Sequence, residues 1–369
     1  MYKYLLLDEV EKRIGSYHNF VLALLKCINE LTNLESTKHL TDDEKKLRFE
    51  SDLKVVSEEL KILKKSKTVA TNTHSVLKVA TATNLKKHIT KLKYEDYDIL
   101  QKYLDLTNNY ERILSDLYND STEYSSSLQQ SFTYLYEDLL ETKTFNVAIG
   151  NKDKVAINEF KKLLLLEHNV CPYCDWYEIE IAGVSIDHFL PKSKFPLLSI
   201  YPRNLVMACP TCNDRIKGNR IKFPISHPYY DEVAKFFKFN LINEEIQISF
   251  VEGISQLDET KVKNFLTLFK IETRFNENRM VNKLEKLSRS IRNDVYNELK
   301  KSVITLDDIK EKIIYRLKRE VEMLIENKRK TPLTKLKLDY LEQINNPKEI
   351  EKMSKSVKYD IKKYQEIDY

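Results

Sequence analysis

Two cysteine pairs carry the plainest chemistry in this sequence. Cys171-Pro172-Tyr173-Cys174 and Cys209-Pro210-Thr211-Cys212 are CxxC knuckles separated by residues 175–208. Such a turn sets two thiolates at neighbouring corners of a tetrahedron, and a second knuckle completes a four-cysteine zinc site. Cys-Pro-Tyr-Cys alone also suits a thiol–disulfide enzyme, but that fold wants the motif at the start of a βαβ unit. Here it follows a long helical region and has a partner knuckle, so structural Zn2+ is the expectation. His168 could replace a thiolate, yet four cysteines already fill the tetrahedron. The fifth cysteine, Cys27, reads as a small buried hydrophobe.

Between and just after the knuckles stand Asp187-His188, Pro191, Asn204-Leu205, Asn213 and Lys217. Hydrolysis of a phosphodiester needs an activated water, a counter-charge for the transition state and help for the leaving oxygen. Histidine, with an ordinary pKa near ~6.5, suits the base. A hard divalent ion held by oxygens can supply the charge. The apolar alternation Ile179, Ile181, Val184, Ile186 predicts a strand that ends at Asp187 and His188.

The order Asp-His, a loop with proline, Asn-Leu, Cys-x-x-Cys-Asn and then lysine resembles the HNH endonucleases, the ββα-metal nucleases. The wider run Asp187–Asn213 is similar to HNH proteins found among bacterial restriction and phage-defence genes. The resemblance covers about residues 171–220. It implies His188 as general base and Asn204 as the residue that positions the histidine-bearing loop. It implies Asp187 and Asn213 as ligands of a catalytic Mg2+ or Mn2+. Lys217 stands four residues after Asn213 and is expected to contact phosphate, completing the catalytic set. The implied activity is cleavage of nucleic acid, duplex DNA first and RNA as the alternative. The rival is a zinc-stapled module that binds nucleic acid or protein without cutting it. In that rival Asp187 merely satisfies a buried histidine and Asn213 caps a helix.

A polyanion substrate calls for nearby cations. Lys192, Lys194, Arg203, Arg215, Arg220 and Lys222 are the candidate nucleic-acid contacts, with Asp214 the only acid in 203–222. Lys87 and its neighbours could extend that track. His227, before Pro228, reads as a residue packed in a turn.

Elements on either side must hold this segment. The chain has 369 residues, 42% hydrophobic and 32% charged, enough apolar material for a core and too much for disorder. Mean hydropathy is −0.49, and the absence of a long apolar run predicts no membrane span. The start MYKYLLLDEVEKR does not read as a secretory signal, and an odd cysteine count favours a reducing, cytoplasmic setting. A net charge of +5 means that any polyanion surface is local.

Prolines are missing before Pro172 and crowd between Pro172 and Pro228. A mainly α protein with a small central zinc-stapled ββα-metal module follows. The expected divisions are 1–165 helical, 166–232 nuclease module, and 233–369 a short hairpin followed by helices. Thr41 and Glu44 form a capping box before a stripe of Leu47, Leu53, Val56, Leu60 and Leu63. Further helices are expected over 85–118, 122–143 and 153–168, with Tyr124, Phe132, Tyr134 and Tyr136 in the core. The residues Lys238–Leu241 and Ile246–Val251 read as the hairpin. The charged stretches around 276–300 and 305–330 read as solvated helix faces. The helical flanks could bind a regulatory protein or a second copy of the chain.

Overall fold

The computed structural model describes residues 1–3, 99–118, 124–139, 168–179, 183 and 185–367, with isolated positions between 18 and 47. The expected stripe beyond Leu47, Cys27, the lysines around Lys87 and the helix at 153–168 lie outside the described residues. The protein is mainly helical, and among the described residues there are two small antiparallel sheets of two strands each. Among the described residues, no helix is long and apolar enough to cross a membrane.

The chain clusters into two compact units. One comprises 4–167 and 183–229; the other comprises 1–3, 168–182 and 230–369. In the first, α1 (Ile99–Asn108) and α2 (Tyr110–Leu114) precede α3 (Ser126–Tyr134). Ser125 starts α3 because its hydroxyl accepts from the Leu128 amide at 3.1 Å. α3 continues into a π-helical turn, Leu135–Leu139. Strands β1 (Ser185–His188) and β2 (Leu205–Ala208) pair with Asp187 opposite Val206 and His188 opposite Leu205. Two short 3-10 turns, Pro196–Ile200 and Pro202–Asn204, fill the connection between the strands. Their sequence is rich in proline, and their apolar side chains Leu197, Leu198 and Ile200 are buried.

After β2 the chain forms one π-helical turn, Thr211–Lys217, which ends at Gly218 with φ +50. A side chain at that φ would be strained, so glycine is the residue that lets the turn stop there. The sequence reading expected an ordinary helix with Asn213 and Lys217 one turn apart on a shared face. The segment is π-helical instead, and Lys217 points inward from it, as described below.

In the other unit, β3 (Phe237–Ile242) and β4 (Glu245–Phe250) form the expected hairpin. Helices α4 (Gln256–Leu268), α5 (Ile271–Phe275), α6 (Asn278–Leu299), α7 (Leu306–Glu326), α8 (Thr334–Ile344) and α9 (Pro347–Ile367) follow. α6, α7 and α9 pack through stripes at three- and four-residue steps. Examples are Leu284, Ile291 and Val295 on α6, Ile309, Ile313 and Leu317 on α7, and Met353, Val357 and Ile361 on α9. A reciprocal capping box between Thr305 and Asp308 opens α7. The expected box at Thr41 and Glu44 is present too, with the Thr41 amide donating to the Glu44 carboxylate at 2.7 Å.

β3 is closed on its outer side by α8. Asp339 accepts from the Phe239 amide at 2.8 Å, and Gln343 both accepts from the Leu241 amide and donates to its carbonyl. Phe237 and Phe239 of β3 are buried, and Phe239 stacks on Phe275 of α5 with ring centroids 4.7 Å apart.

Candidate zinc centre and His188 cleft

The four knuckle cysteines are buried and form no disulfide. Their sulfur atoms lie within 4.8 Å of one another. Zn–S bonds of about 2.3 Å in a tetrahedron place sulfurs roughly 3.8 Å apart, so this donor set fits a Zn2+ ion after a small contraction. Local hydrogen bonds shape each knuckle. The Asp175 amide donates to the Cys171 carbonyl at 2.9 Å, and the Cys171 amide to the Tyr177 carbonyl at 3.0 Å. In the second knuckle, the Cys212 and Asn213 amides both donate to the Cys209 carbonyl.

The carboxylate and imidazole arise from the last two residues of β1. Strand alternation turns Asp187 inward, where it is 2% exposed, and leaves His188 half-buried. His188 Nε2 lies 3.0 Å from the Ser199 carbonyl oxygen. A carbonyl can only accept, so the ring proton sits on Nε2 and Nδ1 carries the lone pair. Burial, with further help from the Lys192 and Lys217 charges, pushes the His188 pKa down to about 4, against the pull of the Ser199 bond. The neutral ring at physiological pH has a nitrogen that can take a proton.

Asn204 is fully buried and spends its amide on the loop that follows His188. Its Oδ1 accepts from the Leu190 amide at 2.7 Å and from the Tyr110 hydroxyl at 2.8 Å. Its Nδ2 donates to the Leu190 and Leu198 carbonyls, each at 3.0 Å. Leu198 precedes Ser199, the residue that orients the imidazole. The contact to His188 is therefore indirect, through the backbone on both sides of it.

Lys217 departs most from its sequence reading. It is 1% exposed, and its ammonium donates to Asp187 Oδ1 and to the His188 carbonyl, both at 2.8 Å. A buried ammonium cannot meet a phosphate backbone from this position, so the expected phosphate contact is corrected to an internal cation. Burial lowers its pKa while Asp187 pulls it up. Asn213 is half-buried, its amide nitrogen donating to the Ser185 hydroxyl.

Asp187, His188, Asn213 and Lys192 line one cleft of about 440 Å³, together with Tyr136, Pro191 and Gly218. Tyr136 and Glu137 are site-lining or site-adjacent residues that sequence reasoning missed. Tyr136 was expected in the core with Phe132 and Tyr134, which are buried as expected. Its ring instead sits edge-on to His188, centroids 4.3 Å apart. Glu137 pairs with Lys192, whose ammonium also lies 5.7 Å from the Tyr136 ring. The signal available in the sequence was only an aromatic–acid pair at the end of a helix.

The remaining basic candidates are dispersed. Lys194, Arg215, Arg220 and Lys222 are exposed. Arg203 is half-buried and its guanidinium lies 5.8 Å from the Tyr229 ring. His227 is wholly buried against Phe189, centroids 4.2 Å apart, and accepts from the Tyr229 amide. Burial, then the charges of Arg203 and Lys217, hold its pKa well below the ordinary value. It packs under the His188 loop, in keeping with its expected structural role.

No family model matches the chain, and no solved structure matches it. Two curated proteins do. The chain is 34% identical over 103 residues to "Septu protein PtuB" of Bacillus thuringiensis, covering 27% of this chain and 40% of that protein. It is 30% identical over 149 residues to "Protein ea31" of Escherichia phage lambda, covering 35% of this chain and 47% of that protein. The chain thus spans less than half the length of either relative, and it is homologous to a Septu protein over that part.

Proposed function

We propose that the chain is a metal-dependent endonuclease of the HNH type that hydrolyses nucleic-acid phosphodiesters, duplex DNA foremost, in bacterial defence against phage. The observation that carries this reading is the cleft lined by Asp187, His188 and Asn213. The similarity to a Septu protein supports the defence role.

Asp187 and Asn213 bring oxygen donors of the type that Mg2+ or Mn2+ takes, and both line the cleft. They would hold that ion, and the ion when bound would supply charge for the pentavalent transition state. The chain's own residues do the rest. His188 accepts the water proton at Nδ1, its Nε2 being committed to Ser199. Asn204 holds the Leu190 and Leu198 backbones so that this orientation persists. Lys217 keeps the Asp187 carboxylate neutralised and in place. Lys192, at the mouth of the cleft, is positioned to meet a phosphate when Glu137 is displaced. In this reading residues 166–232 would form the nuclease module, with helical flanks on either side of it in the sequence. The flanks would dock a controlling partner, since an unregulated nuclease harms its host.

The test is incubation of supercoiled plasmid with wild type and His188→Ala, in Mg2+ or Mn2+ and in EDTA. Nicking or linearisation by wild type, lost in the variant, is the expected result. DNA binding without cleavage in any divalent ion would favour the non-catalytic module.

A further inference from the structure

The sequence reading treated the charges of 276–300 as an ordinary solvated face. The structure resolves which of the charges on these helices have partners. Several cations on α7 and α9 pair with neighbours, while Lys318, Lys348, Lys358, Lys362 and Lys363 have no ion-pair partner among the described residues. Lys310 pairs with Asp307 and Glu351, Lys312 and Arg316 with Glu298, Lys352 with Glu349, and Lys355 with Glu351. On α6 the exposed cations are Arg279, Lys283, Lys286 and Arg289. Among the described residues, Lys283, Lys286 and Arg289 have no ion-pair partner, and only Arg279 has one, Glu277.

Their spacing puts them on one side. With 3.6 residues per turn, positions 279, 283 and 286 follow one another along a stripe, and 289 flanks it. The opposite side carries the buried Met280, Leu284, Ile291 and Val295. Exposed Asn282 and Asn293 fill the outward face between the cations, and Glu285 stands at its edge. The stripe from 279 to 289 rises about 15 Å, a length along which duplex DNA presents a phosphate charge about every 1.7 Å. At its N-terminal end Arg279 lies 4.3 Å over the Trp176 ring, and Arg274 lies 5.4 Å from the same ring. That stacking holds the first guanidinium in place, and the asparagines add neutral donors of the kind that bond phosphate oxygens.

We propose that the outward face of α6, from Arg279 to Arg289, binds the phosphate backbone of the nucleic acid, at a surface distinct from the His188 cleft. The inference rests on the reading of nucleic acid as the substrate, and it adds to the exposed cations of the motif segment a second set that lies outside that segment. Phosphate contacts of this sort position a duplex and carry no base information, so the face is sequence-indifferent.

The experiment measures binding of the full chain to a short fluorescein-labelled DNA duplex by anisotropy, in EDTA, over a salt series. The triple variant Lys283→Gln/Lys286→Gln/Arg289→Gln is compared with Lys352→Gln/Lys355→Gln, which removes paired cations. The triple variant is expected to bind roughly tenfold or more weakly near physiological salt. Its slope of log K against log salt should fall by about 0.9 for each lost contact. The α9 variant should bind as wild type does, and thermal melting of all three should coincide. An unchanged slope in the triple variant, or wild type that ignores DNA while binding anionic lipid vesicles, overturns the proposal. Plasmid cleavage in Mg2+ by the same preparations keeps the two readings apart. Cleavage with an unaffected slope removes the α6 face alone; a lost slope with no cleavage in any preparation removes the nuclease alone.

Discussion

The His188 unit and the α6–α9 helices solve the same problem with opposite materials. The helices bury aliphatic stripes and leave charge on the surface, where ion pairs such as Lys312 with Glu298 contribute little. The His188 unit buries polar groups and satisfies each one: Asn204 with four partners, Lys217 with Asp187, His227 with the Tyr229 amide. Aliphatic packing tolerates exchange of similar side chains. A buried polar hub does not, because the loss of one partner strands the others. Position is thus enforced most strictly where the candidate chemistry lies.

Substitutions can break that contrast. The largest effect is expected at the knuckles: Cys174→Ser or Cys209→Ser should abolish a zinc content of about one per chain and unfold the surrounding segment. Elemental analysis and thiol alkylation check it; a zinc-free wild type with reactive cysteines would sink the idea. Next, His188→Ala should lower single-turnover cleavage by about 10²–10⁴-fold with the melting temperature nearly unchanged. Lys217→Met should cost about 3–5 kcal/mol of stability, because it leaves the Asp187 carboxylate buried without its cation. Added Mn2+ should restore more of that loss than it adds to wild type, as thermal melts with and without the ion would reveal. Asn204→Leu should cost about 2–4 kcal/mol in urea unfolding, since two carbonyls and two donors lose their partner. By comparison, Lys312→Gln on the helical layer should change stability by about 0.5 kcal/mol or less.

The smallest effect sharpens the comparison by pH. His227 is buried with its pKa held far below the unfolded value. The unfolded chain therefore binds a proton below pH ~6.5 that the folded one refuses, and folding stability falls as pH drops through that value. The slope reaches at most about 1.4 kcal/mol per pH unit from this residue. His227→Gln should flatten the stability profile between about pH 6.5 and 5. An identical profile in the variant would assign the pH dependence to other groups, with buried His168 next in line.

Much of the candidate site was legible because its residues fall within one short segment and their spacing is their signature. Cys171 to Lys217 could be read in order without any long-range contact. The hairpin was legible too, since the alternation of Ile246, Ile248 and Phe250 has one strand meaning, and the observed strands run only slightly beyond it. Tyr136 and Glu137 were not legible, since they reach His188 and Lys192, respectively, from a helix far away in the chain. An aromatic stripe carries no mark of which member faces a cleft. The direction of Lys217 was hidden for another reason. Four-residue spacing places Lys217 on a bearing close to that of Asn213 but does not say whether its ammonium ends in solvent or inside, and here it ends on Asp187. Charge pairing along α6 was equally invisible, because sequence counts acids and bases without saying which of them touch.

The closure of β3 by α8 has a consequence for the protein at high concentration. A two-stranded ribbon is marginal alone and offers its rim to any extended peptide that drifts by. Gln343, matching one residue's amide and carbonyl as a neighbouring strand would, turns that rim into a finished surface. Removing it, as in Gln343→Ala, should leave the monomer folded while opening a path to strand-by-strand self-association, visible as slow growth in light scattering and thioflavin binding.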